Sequence, residues 1–457
     1  MKSKKLRLTV IILSVLMLIL IAAGTLLTLR YYRVIGPYIS KRSFLKDISD
    51  IKIPIVEIDT DGSVKSREEY TSCSFSLYNC ENQEYNIEVK GADAPNEEGG
   101  VGIRLRGNTT ANALKKSYRI KFNEKTSVLG MTKNKSWVLL ADYYDQSAIR
   151  NYTALSLAKE LDNLDFTPTP NHVALIMNGQ FKGLYLLCEQ IDEEKGRLDI
   201  EVKQGEVQAD DNSFPFHVVI DSELANSDEP SKDYFRVEWA HVEMKYPDYE
   251  ERHELLPGES DPIFDYAKEY MQAVFTALKT QAPVSVSFSD TPLTLDDLVD
   301  IDSMVDYYLL NEIMLNCDSC IRSLHLHKEK NGKLEFGPVW DFDWSLSAGD
   351  WDLPYEESEI GDAQVLEIAN RSRIFKEFLK NPDYYQRVAD RYNEKRSAII
   401  KIADSLKDYK SVIKHVALLD GNKWYGRDYE LEFTSQYDYV RLFLYDRHDF
   451  LKRTFND

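Results

Sequence analysis

A strictly alternating segment that runs into an asparagine–glycine turn and out again constrains this chain more than any other feature. It reads Ser323-Leu324-His325-Leu326-His327-Lys328, then Asn331-Gly332-Lys333, then Leu334-Glu335-Phe336. Polar–apolar alternation leading into Asn-Gly predicts a β-hairpin, because the tight turns that match strand twist need positive φ at their centre. Acids bracket the hairpin. Asn316-Cys317-Asp318 precedes its first strand, and Gly337-Pro338-Val339-Trp340-Asp341-Phe342-Asp343 continues its second. On an extended strand positions 341 and 343 share a face, so both carboxylates are expected to reach one site.

These parts suit phosphoryl transfer, in which one Asp accepts a hydroxyl proton and another holds Mg²⁺ on the phosphates. Asp318 is the candidate base, and Asp341 and Asp343 are candidate Mg²⁺ ligands, since Mg²⁺ prefers hard oxygen donors. Asn316 is placed to orient the loop or reach a metal. Asp318 is also the residue type that a plain turn or N-cap wants, and one of the later acids could simply cap the following turn. Positive charge gathers upstream at Arg104, Arg106, Lys116, Arg119 and Lys121. Arg104, Arg106 and Asn108 alternate onto one face, as do Arg119 and Lys121. Guanidinium forks match phosphate oxygens, although a solvated strand face would read the same way. Paired carboxylates also serve glycoside hydrolysis, which would leave the basic cluster without a role.

These segments, taken in order, resemble the CotH family of atypical kinase-like proteins. The resemblance is carried by Ile103 to Thr110, the basic strand Lys115 to Lys121, Trp137 to Asp142 and Ile149-Arg150-Asn151. It continues through Asn178 to Gln190, Lys245-Tyr246-Pro247 and Gly337 to Asp343, spanning about Pro54 to about Lys452. It implies a two-lobed atypical protein kinase-like fold, with ATP and Mg²⁺ as cofactors and a protein Ser or Thr hydroxyl as acceptor. It also implies that Glu189 pairs with a phosphate-binding Lys or Arg, as the kinase Lys–Glu pair does. One departure matters. The family often carries a polar amide a few residues after the catalytic Asp, whereas this chain has Ile321-Arg322-Ser323. That leaves Ser323 or Asn316 for a second metal, and keeps open a non-catalytic envelope or surface protein acting in binding or assembly.

Leu8 to Leu29 is an apolar run without a charge, long enough at roughly 1.5 Å per residue to cross a bilayer core of about 30 Å. Lys2, Lys4, Lys5 and Arg7 before it favour a signal anchor with the main domain extracytoplasmic, though Arg30, Arg33, Lys41, Arg42 and Lys46 after it weaken the asymmetry. No acid occurs before Asp47, and beyond that point 76 acids outnumber the bases that remain after nine of 56 are used. So acidic a body repels nucleic acid and anionic lipid. Five cysteines are too few and too odd for a disulfide framework. Cys73 and Cys80 would point to opposite faces of one strand. Cys317 and Cys320 with His325 and His327 do not follow a standard zinc spacing.

The expected organisation is a basic tail (1–7), a transmembrane helix (8–29), a juxtamembrane stalk (30–50), a β-rich segment (51–100) and a kinase-like domain (101–457). Strands dominate the first half and helices the second, which is an α+β class.

Overall fold

The computed structural model describes residues 51–81, 83–89, 100–107, 109–222, 224, 231–316, 318–319, 321–346, 363–426 and 429–456. The expected membrane helix with its tail and stalk lies outside them, as do Asn108, Cys317 and Cys320. No described helix is long and apolar enough to cross a membrane.

The first half is built on β1 (Ile55–Thr60), β2 (Thr71–Tyr78), β3 (Ile87–Val89), β4 (Val101–Arg106), β5 (Ser117–Thr126), β6 (Asn134–Leu140), β7 (Asn171–Met177) and β8 (Gln180–Glu189). Their order is β1-β7-β8-β6-β5-β4-β2-β3, and β1 also pairs with β2. The sheet therefore closes on itself as a seven-stranded barrel, with β3 appended to β2. The segment 51–100 supplies two barrel strands and this appendage. The β1–β7 pairing is parallel and the other pairings are antiparallel. Alternation explains which side chains fill the barrel: Val56, Phe75, Leu77, Ile103, Ile120, Trp137, Leu139 and Leu187 pack inside it. The alternate residues of β6 and β8, Val138, Leu140, Leu186 and Cys188, face outward into a second core shared with the helices. Cys73 and Cys80 are unpaired; Cys80 lies beyond the end of β2.

A second sheet combines β9 (Phe216–Ile220), β10 (Tyr234–Val237), β11 (Ala240–Tyr246), β12 (Leu324–Lys328) and β13 (Leu334–Phe336), in the order β10-β11-β9-β12-β13. The helices are α1 (Arg150–Ala158), α2 (Tyr249–Leu255), α3 (Pro262–Thr280), α4 (Leu295–Leu298), α5 (Ile301–Met314), α6 (Glu367–Arg371), α7 (Arg373–Phe378), α8 (Pro382–Trp424) and α9 (Tyr429–Thr454). The strand-rich first half and helical second half are as expected; the closure into a barrel is not signalled by periodicity, which identifies strands but not their partners.

Two helices position the rest. The Asp300 side chain accepts from Ser303 N and starts α5, which is buried along nearly its whole length and stops at Leu315 with φ 44°. Helix α8 is tied to the barrel by Asp420, which pairs with buried Lys115 at 3.0 Å and accepts from Leu184 N at 3.1 Å. Gly183 is obligatory there: at φ +138° it leaves a space where a Cβ would lie 1.9 Å from Asp420 Oδ1.

Candidate functional site

The β12–β13 hairpin forms as the alternation requires, with Leu326 opposite Phe336 and His327 opposite Glu335. Asn331 takes φ 66° in the turn. The ladder then ends at Phe336, earlier than expected. Gly337 adopts φ 130°, Pro338 has no N–H to continue the pairing, and Asp341 itself takes φ 69°. Asp341 and Asp343 are therefore not neighbours on one strand face: Asp341 is exposed and Asp343 is buried. Their carboxyl groups nevertheless act on each other, the Asp341 charge raising the Asp343 carboxyl. Convergence comes from a bend rather than from strand alternation.

The loop after α5 wraps this bend. Asn316 Nδ2 donates to Asn311 Oδ1 at 3.2 Å and to the Asp341 carbonyl at 3.4 Å. Ser323 Oγ donates to Asp341 Oδ2 at 3.2 Å. Asp318 sits between these two anchors, half-buried, its carbonyl accepting from Ile321 N and Arg322 N. Asn316 Oδ1 is buried and has no hydrogen-bond partner among the described residues. Both residues that could stand in for the missing amide thus touch Asp341.

Two further acids join from the barrel, and the sequence reading missed both. Asp142 follows β6 at φ 45°, and Asp145 precedes α1. Asn151 holds the arrangement together: its Nδ2 donates to Asp142 Oδ1 at 2.8 Å, and its Oδ1 accepts from Phe342 N at 2.8 Å. Arg150 pairs with Asp145 and donates through Nε to the Ser345 carbonyl at 2.8 Å. The available signal was Asp142 lying within one of the family-like segments and Asn151 within the next.

Like charges dominate what results. Burial raises the Asp343 carboxyl well above the usual range, and the charges of Asp341, Asp142 and Asp145 raise it further. Burial also pushes Asp142 up to about 7, reinforced by Asp145 and opposed by the Asn151 hydrogen bond. The oxygens of Asp142, Asp341 and Asp343 do not all close within 4.8 Å of one another. Mg²⁺ does not demand that, because it usually keeps several waters and uses one or two carboxylates plus substrate phosphates. An all-oxygen set with an orphaned amide oxygen beside it fits such an ion.

Of the basic residues, Arg106 reaches this cluster. Its guanidinium lies 4.5 Å from the centre of the Trp340 ring. Burial pushes it down while the Asp341 charge, and more weakly that of Asp343, opposes this. Arg104 is held elsewhere, donating to the Glu68 carbonyl at 3.0 Å and lying over Tyr70. Arg119 is in register with Arg104 and donates to Ser136 Oγ at 3.3 Å. Lys121 is opposite Ser136 in the next strand, and Lys116 is half-buried beside it in sequence order before β5. Glu189 has the parity of Leu187, on the face opposite the arginines; its carboxylate accepts from Thr169 N at 2.6 Å and Thr169 Oγ1 at 3.2 Å. No Lys or Arg ion pair to it is found among the described residues, although its charge acts on Lys159 and Arg197.

His325 and His327 share a strand face but separate. His325 Nδ1 meets His217 Nε2 at 2.9 Å, and His217 Nδ1 meets Glu193 at 2.8 Å. Burial holds both His325 and His217 far below the usual imidazole range, His217 at about 3. Arg106 is among the charges acting on His325 and Arg119 among those acting on Glu193. The chain His325–His217–Glu193 therefore flanks the basic face of the barrel.

A family model described as CotH kinase protein matches residues 103–451. No curated protein matches the chain.

Proposed function

The chain belongs to the CotH family, and on that premise we propose that it is a Mg²⁺-dependent atypical protein kinase that phosphorylates Ser or Thr hydroxyls of a protein. One observation carries the reading: four acids converge on the Trp340–Asp343 bend with Arg106 as the adjacent cation. A purely structural cluster would pair its buried charges, because an uncompensated buried charge is costly. Here Asp145 is paired with Arg150, whereas Asp142, Asp341 and Asp343 have no ion pair among the described residues.

Asp341, Asp343 and Asp142 would hold the ion, with Asn316 Oδ1 available to it or to its water. Bound there, Mg²⁺ supplies charge neutralisation for the β- and γ-phosphates. Arg106 is the phosphate contact, and Arg119, Lys121 and Lys116 extend the basic face toward the remaining phosphates. Asp318 accepts the acceptor hydroxyl proton as its oxygen bonds to the γ-phosphorus and the bond to the ADP oxygen breaks. Asn316 and Ser323 fix the loop that presents Asp318. The apolar run 8–29 anchors the protein in a membrane, with the catalytic domain on the extracytoplasmic side and a local nucleotide supply required there.

The test is transfer of labelled γ-phosphate from ATP to a Ser/Thr-containing protein by the full chain in detergent. The wild type transfers label. Asp318→Asn retains ATP binding and loses about 10²- to 10⁴-fold in rate, the range for general acid–base groups. A folded wild type that binds ATP without transferring label, or an unaffected variant, would leave a non-catalytic binding or assembly protein as the reading.

A further inference from the structure

We propose that Asp165, His327 and Glu335 form a second site, for a divalent transition-metal ion of the zinc or manganese class. Among the described residues this is the group of three whose ligand atoms all lie within 4.8 Å of one another. His327 and Glu335 face each other across the β12–β13 ladder, and Asp165 comes from the segment after α1.

The imidazole is set up as a ligand. Its Nδ1 lies 3.1 Å from the Gly337 carbonyl. A carbonyl only accepts, so Nδ1 carries the proton, and in the neutral ring Nε2 keeps a lone pair. That Nε2 is buried without a hydrogen-bond partner, on a side chain 2% exposed. It lies 3.4 Å from Asp165 Oδ2 and 3.8 Å from Glu335 Oε2. These spacings exceed the N–H···O optimum of about 2.9 Å. The edge of a tetrahedron with metal–ligand bonds of about 2.1 Å is roughly 3.4 Å, which the Asp165 spacing matches and the Glu335 spacing exceeds by 0.4 Å. Donation of the second ring N–H to a backbone carbonyl is the usual way a metal-binding imidazole is oriented.

One imidazole with two carboxylates suits zinc or manganese better than Mg²⁺, which favours oxygen alone. The Asp165 and Glu335 side chains are 42% and 28% exposed, so an ion can enter from solvent and keep water in its fourth position. Its effect would be mechanical. It would fasten the segment after α1 to the hairpin beside Gly337, where the chain departs toward Asp341.

The experiment is metal analysis of the full chain in detergent, stripped with chelator, reloaded with Zn²⁺ or Mn²⁺ and desalted. The expected result is one retained ion per chain. Asp165→Asn should weaken retention by at least about tenfold, the size seen even for residues that only orient ligands. Because Asp165 is partly exposed, that variant separates loss of a ligand from loss of fold; His327→Asn should abolish retention. Asp341→Asn should keep the ion, which distinguishes this site from the acid cluster. A folded wild type that retains no ion, or retention unchanged in Asp165→Asn and His327→Asn, would overturn the proposal and leave an ion pair between His327 and the two acids.

Discussion

Glu312 and Asp343 are both buried acids, and the protein treats them oppositely. Glu312 sits 3.0 Å from Arg447, with both side chains fully buried. It also accepts from Tyr308 Oη at 3.0 Å and from Glu367 N and Ala369 N at 2.8 and 3.1 Å. Asp343 has Asp341, Asp142 and Asp145 as the charges acting on it. Burial raises both carboxyls, but Arg447 pulls Glu312 back while Asp341 pushes Asp343 further. Compensation of the first is complete within the chain. Asp343 has no such partner among the described residues, Arg106 acting on it only weakly, and that contrast is the physical reason to separate scaffold from site in this molecule.

The contrast can be broken by substitution. Arg447→Met leaves Glu312 buried without its cation and should cost about 3–5 kcal/mol of stability, as expected for breaking a buried pair from one side. Urea unfolding of the full chain would show it as a lowered midpoint.

A smaller effect should come from His172, which belongs to the scaffold side. It lies between the Ala148 carbonyl and Tyr409 Oη, each at 2.8 Å, and burial pushes it down to about 4. The unfolded chain protonates this ring near pH 6.5 and the folded chain only near 4. Stability is therefore lost as pH falls through that window, by about 3 kcal/mol from this group alone. His172→Gln should remove that part of the slope, read as the difference between the two pH–stability profiles. Identical profiles would mean that His172 does not titrate differently on folding.

The smallest stability effect, and the sharpest for the comparison, is expected at Asp343. Asp343→Asn removes a like charge and should leave metal-free stability unchanged or higher by up to about 1 kcal/mol. A loss comparable with Arg447→Met would place Asp343 among the scaffold acids.

How much of this the sequence showed depends on the range of the interactions. The hairpin was legible because alternation and an Asn-Gly turn act within a dozen residues. The sequence pointed to Asp341 and Asp343 as one pair, but not to the route by which they approach each other: the positive φ at Gly337 and Asp341 breaks the strand periodicity that the expectation used. Asp142 and Asp145 were invisible as site residues because Asn151 and Arg150 bring them in through hydrogen bonds to Phe342 and Ser345, nearly 200 residues along the chain. Arg104 and Arg106 shared a face as expected, yet only the structure separates them, through Glu68 and Tyr70 on one side and Trp340 on the other. The barrel depends on β1 pairing with both β2 and β7, a long-range choice that local pattern does not encode.

The most direct test of the central claim is calorimetric titration of ATP into the full chain in detergent, with and without Mg²⁺, beside Asp343→Asn. The account predicts Mg²⁺-dependent binding by the wild type that the folded variant loses. Absence of Mg²⁺-dependent binding in a folded wild type, or binding that Asp343→Asn retains undiminished, would contradict it.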